Sequence, residues 1–117
     1  MTLPHHFIAG DFATAAQLTP EQMQEAAKAG FRTVVNNRPD FEAGPQQPTD
    51  REMREAAEKA GLTYVFFPVI SGMITPNEVE EYAKMLDELP RPVLAFCRSG
   101  SRSGHLYHLA LKRKAQR

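Results

Sequence analysis

The chain has 117 residues, 14 Lys and Arg against 14 Asp and Glu for a formal net charge of zero, 42% hydrophobic and 24% charged residues, and one cysteine. That length supports a single folded domain over residues 1–117 with a substantial core, and the charge balance provides no global field to draw the protein to nucleic acid or to a membrane surface. The apolar runs are strand-sized, MTLPHHFIAGD lacks the charged-then-apolar layout of a signal peptide, and a lone cysteine makes neither an internal disulfide nor a thiolate-rich metal site, so a cytoplasmic protein is expected.

In chain order, FIAG is a short strand candidate. LTPEQMQEAAKAG reads as a helix with Thr19 as N-cap, Pro20 at its first position, Met23, Ala26 and Ala27 on one face, and Gly30 as its stop. FRTVVNN follows as a β-branched strand, and RPDFEAGPQQP, residues 38–48, is rich in Pro and Gly without a period and is therefore a loop. TDREMREAAEKAG is a second capped helix, with Met53, Ala56, Ala57 and Ala60 at helical spacing and Glu55 paired with Lys59 on the exposed side. LTYVFFPV reads as a strand buried on both faces, its Tyr64, Phe66 and Phe67 assigned with Tyr82 to the core. TPNEVEEYAKMLDEL repeats the Thr-Pro start and carries Val79, Tyr82, Ala83, Leu86 and Leu89 as an apolar stripe. RPVLAF is the last strand, and a last helix begins at Ser101 or Arg102. Lys112, Arg113, Lys114 and Arg117 read as a basic final turn complementing the helix dipole rather than as a dock for an acidic partner.

Strands alternating with helices every ~25 to 30 residues predict right-handed βαβ units. The expected fold is α/β, one domain with a mostly parallel central sheet of about four to five strands flanked by helices.

In such a sheet ligands bind outside the carboxyl ends of the strands, and Cys97 falls where PVLAF leaves the sheet. The next residues, Arg98, Ser99, Gly100, Ser101 and Arg102, are small or basic, so their N–H groups can wrap a central point before handing over to a helix N-terminus. That field, with Arg102, should hold the Cys97 thiol below the free value of roughly 8.5 and populate the nucleophilic thiolate. Gly100 would permit the tight backbone geometry. A cysteine after four apolar residues is by default a packed core residue, but a buried structural cysteine is not normally followed by a polar, doubly basic, glycine-centred turn.

CRSGSR resembles the active loop of single-domain rhodanese-type sulfurtransferases, in which Cys-x4-Arg frames a persulfide. C-x-x-G-x-R-S is also similar to the signature of protein tyrosine and dual-specificity phosphatases, which use Cys-x5-Arg. Over residues 5 to 112, through GFRTVVNNRPDFE, AAEKAGLTYVFFPV, MITPNEVEEYAKML and PVLAFCRSGSRS, the chain resembles the phosphatase-like domain family of bacterial beta-lactamase hydrolase-like proteins, also described as sulfur transferases. This resemblance implies a trimmed cysteine-dependent dual-specificity phosphatase fold. Family members fused to metallo-beta-lactamase-like hydrolase or persulfide dioxygenase domains imply, by the same resemblance, a separate persulfide-metabolising partner protein.

The short loop leaves a smaller cradle than a phosphoryl dianion needs and favours sulfur transfer. Phosphate-ester cleavage also needs a general acid, and no Asp or Glu occurs between Glu58 and Glu78; Asp40 and Glu42 are the nearest substitutes. The histidine that precedes the phosphatase cysteine is Phe96 here. The expected activity is a rhodanese-type sulfurtransferase in which the Cys97 thiolate takes sulfane sulfur from thiosulfate or a persulfide. Arg98 and Arg102 hold the anionic donor, the N–H groups of 98–102 cradle the persulfide, and Arg38 and Asp40 line the entrance. Ser103, by resemblance to the phosphatase Ser/Thr after the arginine, hydrogen-bonds the sulfur. The alternatives are a phosphatase working through a Cys97 phosphocysteine on a phosphate ester, and a non-catalytic oxyanion or redox sensor. No cofactor or metal is expected. His5 and His6 are adjacent and read as exposed N-terminal residues. His105 and His108, at i, i+3, read as solvent-facing or capping, with a base or metal pair as the alternative lacking an identifiable third ligand.

Overall fold

The computed structural model describes residues 2–116. Among them are five strands and four helices: β1 (His6–Ala9), β2 (Phe12–Ala15), α1 (Gln22–Lys28), β3 (Thr33–Asn36), α2 (Asp50–Lys59), β4 (Thr63–Phe66), α3 (Pro76–Leu86), β5 (Val93–Phe96) and α4 (Ser101–Ala115). The sheet order is β1-β2-β5-β3-β4, with β1 antiparallel to β2 and every other pairing parallel. The α/β architecture is the one expected.

Successive side chains of a strand point to opposite faces, and each face of the sheet meets its own helix pair. Val34, Leu94 and Phe96 pack with Met23 and Ala26 of α1 and Met53 and Ala57 of α2. Val35, Val93 and Ala95 pack with Tyr82, Ala83 and Leu86 of α3 and Leu106, Tyr107 and Ala110 of α4. All four residues of β5 are fully buried, which is why VLAF is a continuous apolar run rather than an alternating one.

Several local expectations are corrected. FATA is a fully buried strand that sequence reading passes over. It holds two alanines and a single aromatic, because its neighbours approach closely and favour small residues over the bulky ones that advertise a strand. α1 begins at Gln22 rather than beside Pro20. Thr19 Oγ1 accepts from the Gln22 N–H at 3.3 Å while Gln22 Oε1 accepts from the Thr19 N–H at 2.8 Å, so the cap closes the turn before the helix. β4 is an edge strand and only partly buried, with Thr63 exposed. Glu55 pairs with Arg51 at 3.2 Å, one turn earlier than Lys59.

The last turn of α4 ties to α3: Arg113 Nε donates to Glu80 at 2.6 Å and Lys114 bonds Asp87. Arg117 lies outside the described residues. No described helix is long and apolar enough to cross a membrane.

α2 and α3 both start with a capping box, Thr49 with Glu52 and Thr75 with Glu78. Replacing Thr75 with Ala removes the acceptor for the Glu78 N–H and should cost about 1 kcal/mol in a urea titration, without altering the chemistry of the distant cysteine loop.

Candidate active site

Ala15, Phe96, Asn36 and Phe66 stand level in the sheet register, so the segments leaving β2, β5, β3 and β4 emerge together at one edge. They enclose a cleft of about 720 Å³ lined by Arg38, Glu42, Ser71, Cys97, Ser99 and Arg102, with Ala43, Arg98 and Ser101 completing its wall. Of the residues expected at the site, Cys97, Arg98, Ser99, Ser101, Arg102 and Arg38 therefore share one cleft.

The loop after β5 turns through Gly100, whose φ of +94° lies in the left-handed region. A Cβ there would stand 3.3 Å from the Ala15 carbonyl oxygen, so both the conformation and the close approach to β2 require glycine. The turn directs the Gly100 N–H to Cys97 Sγ at 3.1 Å. Burial, at 1% exposure, pushes the Cys97 thiol up. Hydrogen bonds from the Ser103 N–H and hydroxyl and from the Ser99 and Gly100 N–H groups outweigh it and hold the pKa below the ordinary thiol value. The main stabilising contributions thus come from hydrogen-bond donors in the loop after β5 and at the start of α4.

The Ser103 hydroxyl stands between two acceptors, the sulfur and Asn37 Oδ1 at 2.8 Å, and its one proton serves one of them at a time. Asn37 is fixed in turn, donating Nδ2–H to the Phe67 carbonyl at 2.9 Å and its own N–H to the Phe96 carbonyl at 2.9 Å. Both side chains are buried, and neither Asn37 nor this link is evident from the sequence.

Arg102 is anchored by Glu42 through a two-point contact, Nη1 to Oε2 at 3.0 Å and Nη2 to Oε1 at 3.1 Å, and by the Val69 carbonyl at 3.0 Å. Its Nε–H is buried without a protein partner. Buried Arg38 grips the same carboxylate, Nε to Oε1 at 2.9 Å, and donates Nη1–H to Gln17 at 3.0 Å. The Arg102 hydrogen bond, with help from Arg38, overcomes partial burial and holds the Glu42 carboxyl below the usual carboxylate range. Glu42, considered from sequence only as a proton source, is instead an ionised clamp.

Asp40 is not in the cleft wall. Its Oδ1 accepts from the Asp50 N–H at 2.7 Å, at the N-terminus of α2. Gln47, reaching the Pro39 carbonyl and the Ala43 N–H, braces the same loop. His105 and His108 are exposed on α4, His5 and His6 lie at the N-terminal edge, and among the described residues no three His, Cys, Asp or Glu side chains gather as a metal site.

The family model for the beta-lactamase hydrolase-like protein, phosphatase-like domain, matches residues 5–113. The chain belongs to that family. A beta-lactamase hydrolase-like protein of Xylella fastidiosa is 35% identical over 98 residues, 84% of this chain but 22% of the relative, so the phosphatase-like domain spans about a fifth of that protein's length. A crystal structure from Neisseria meningitidis, of a protein described as a candidate phosphatase, is 30% identical, covers 87% of this chain and 72% of its own, and superposes with a TM-score of 0.80. A Shewanella putrefaciens structure with the same description shares the fold at 20% identity, covering 96% of this chain and 72% of its own with a TM-score of 0.80.

The Neisseria likeness overturns the expected sulfurtransferase activity: that relative is described in phosphatase terms, and nothing in these likenesses supports the sulfur donor or a persulfide-metabolising partner. The span from Cys97 to Arg102 does not by itself decide between the two chemistries, because the donors at the sulfur are not confined to it. Ser103 lies beyond the arginine, yet its N–H and hydroxyl reach the sulfur.

Alkylation of Cys97 followed against pH should have its midpoint below the roughly 8.5 of a free thiol. Ser103→Ala removes one donor and should move that midpoint upward, whereas an unchanged midpoint would mean that the hydroxyl serves only Asn37.

Proposed function

We propose that the domain is a cysteine-dependent phosphatase acting through a phosphocysteine on Cys97. The reading is carried by one observation: where β5 passes into α4, a thiol ringed by N–H donors shares a cleft with an arginine that Glu42 anchors by one edge and whose buried Nε–H is left without a partner. Family membership supports it, as does the description of the Neisseria relative. A transferring phosphoryl group spreads negative charge over three oxygens, and catalysis is mainly positioning and electrostatic stabilisation of that charge. Preorganised N–H donors and a fixed guanidinium serve both needs.

In this mechanism the Cys97 thiolate attacks phosphorus, the S–P bond forms, and the P–O bond to the leaving group breaks with its electron pair going to that oxygen. The loop N–H groups and the Arg102 Nε–H hold the non-bridging oxygens. Arg98 and Ser99 meet the substrate at the mouth of the cleft, and Arg38 acts through Glu42 to position Arg102. Water then attacks phosphorus, the S–P bond breaks, and phosphate leaves. The N–H ring and the Ser103 hydroxyl stabilise the thiolate as it departs.

Hydrolysis of p-nitrophenyl phosphate tests this. Cys97→Ser should abolish turnover. Arg102→Lys keeps the charge but loses the planar fork, and should lower kcat/KM by about 10²–10³-fold. Persistent hydrolysis in Cys97→Ser would refute the phosphocysteine route.

A further inference from the structure

The cleft has an unusual feature for phosphate-ester cleavage: its walls offer no group able to give a proton to a departing oxygen. Among the described residues Glu42 is the only carboxylate in the lining, and both its oxygens are engaged by guanidinium N–H groups, Oε1 by Arg38 and Arg102 and Oε2 by Arg102. Protonating it would leave buried Arg38 and half-buried Arg102 facing a neutral acid, which the depressed pKa also opposes. Asp40 is outside the lining, its Oδ1 accepting from the Asp50 N–H at the α2 N-terminus. The segment joining β4 to α3, residues 67–75, reads FPVISGMIT and contributes Ser71, whose hydroxyl is far too weak an acid for the task. None of the four histidines lines the cleft, and a guanidinium is not a proton donor for acid catalysis.

Building on the phosphatase reading, we infer that the site takes phosphoryl groups from leaving oxygens acidic enough to depart as anions. Phosphoanhydrides, acyl phosphates and electron-poor aryl phosphates qualify; the alkyl phosphates of serine, threonine or sugars do not. In the first step the P–O electron pair stays on the leaving oxygen, which departs as carboxylate, phosphate or aryl oxide and takes a proton, if any, from solvent. In the second step the attacking water needs no leaving-group acid, because the group expelled is the Cys97 thiolate, and the proton released by water passes to the phosphate product. The electrostatic design agrees with this division: donors and cations ring the sulfur and the phosphoryl position, and nothing is spent on the far side.

The test is a leaving-group series on the wild-type domain: dinitrophenyl, p-nitrophenyl and phenyl phosphates, with acetyl phosphate, pyrophosphate and phosphoserine. The expected result is a steep dependence of kcat/KM, about tenfold lost per unit of leaving-group pKa among the aryl esters. Acetyl phosphate should be cleaved readily and phosphoserine not detectably. Glu42→Gln should lower all aryl rates by a similar factor, leaving the ratio between dinitrophenyl and phenyl phosphate unchanged, because it loosens Arg102 without removing an acid. A nearly flat series, or a Glu42→Gln loss confined to the poor leaving groups, would overturn the inference while leaving the phosphatase reading intact. No cleavage of even dinitrophenyl or acetyl phosphate would overturn the phosphatase reading itself.

Discussion

The left-handed turn at Gly100, pressed against the carbonyl of Ala15, is the constraint on which the site depends. It lets the chain leave the buried β5, reverse within a few residues and enter α4 with the helix N-terminus aimed back at the sulfur. The N–H groups at that end have no partners within the helix, and Gly100 and Ser103 direct theirs to Cys97. The energetic balance at the cysteine follows from the same geometry. Burial alone would favour the neutral thiol, and the ring of short donor contacts reverses that preference. Any side chain at position 100 would strain the backbone and open the ring together, so fold and reactivity are coupled at one residue.

A second constraint is the single carboxylate shared by two arginines. Glu42 joins the loop after β3 to the first turn of α4, so that Arg102 cannot swing among rotamers. Two guanidiniums around one carboxylate leave the cluster net positive, and the Arg102 Nε–H remains as an unspent donor. Such a cluster suits a doubly charged anion and disfavours protonation of Glu42. The arrangement that strengthens phosphoryl binding is thus the one that withholds a proton from the leaving group.

Much of this was legible in the sequence because it is local. The capping boxes at Thr49 and Thr75, the apolar stripe of α3, the buried run of β5 and the glycine-centred loop from Cys97 to Ser103 each sit within a short window. What was hidden depends on partners distant along the chain. Glu42 and Arg102 are 60 residues apart and Asn37 and Ser103 are 66 apart, and no periodicity announces such pairs. Asp40 and Glu42 lie two residues apart in one loop and look interchangeable, yet one accepts the first N–H of α2 and the other clamps two arginines. β2 was missed because its small residues reflect close neighbours rather than strand propensity. Loop length is a poor guide for a related reason: the donors around the sulfur, Ser103 among them, are not confined to the residues between Cys97 and Arg102.

The most direct measurement is the mass of the Cys97 peptide after the protein is mixed with acetyl phosphate or dinitrophenyl phosphate and quenched in acid within the first turnover. One phosphoryl group on that peptide, absent in Cys97→Ser, is the predicted result. Turnover with Cys97 unmodified, or with the phosphoryl group on another residue, would contradict it.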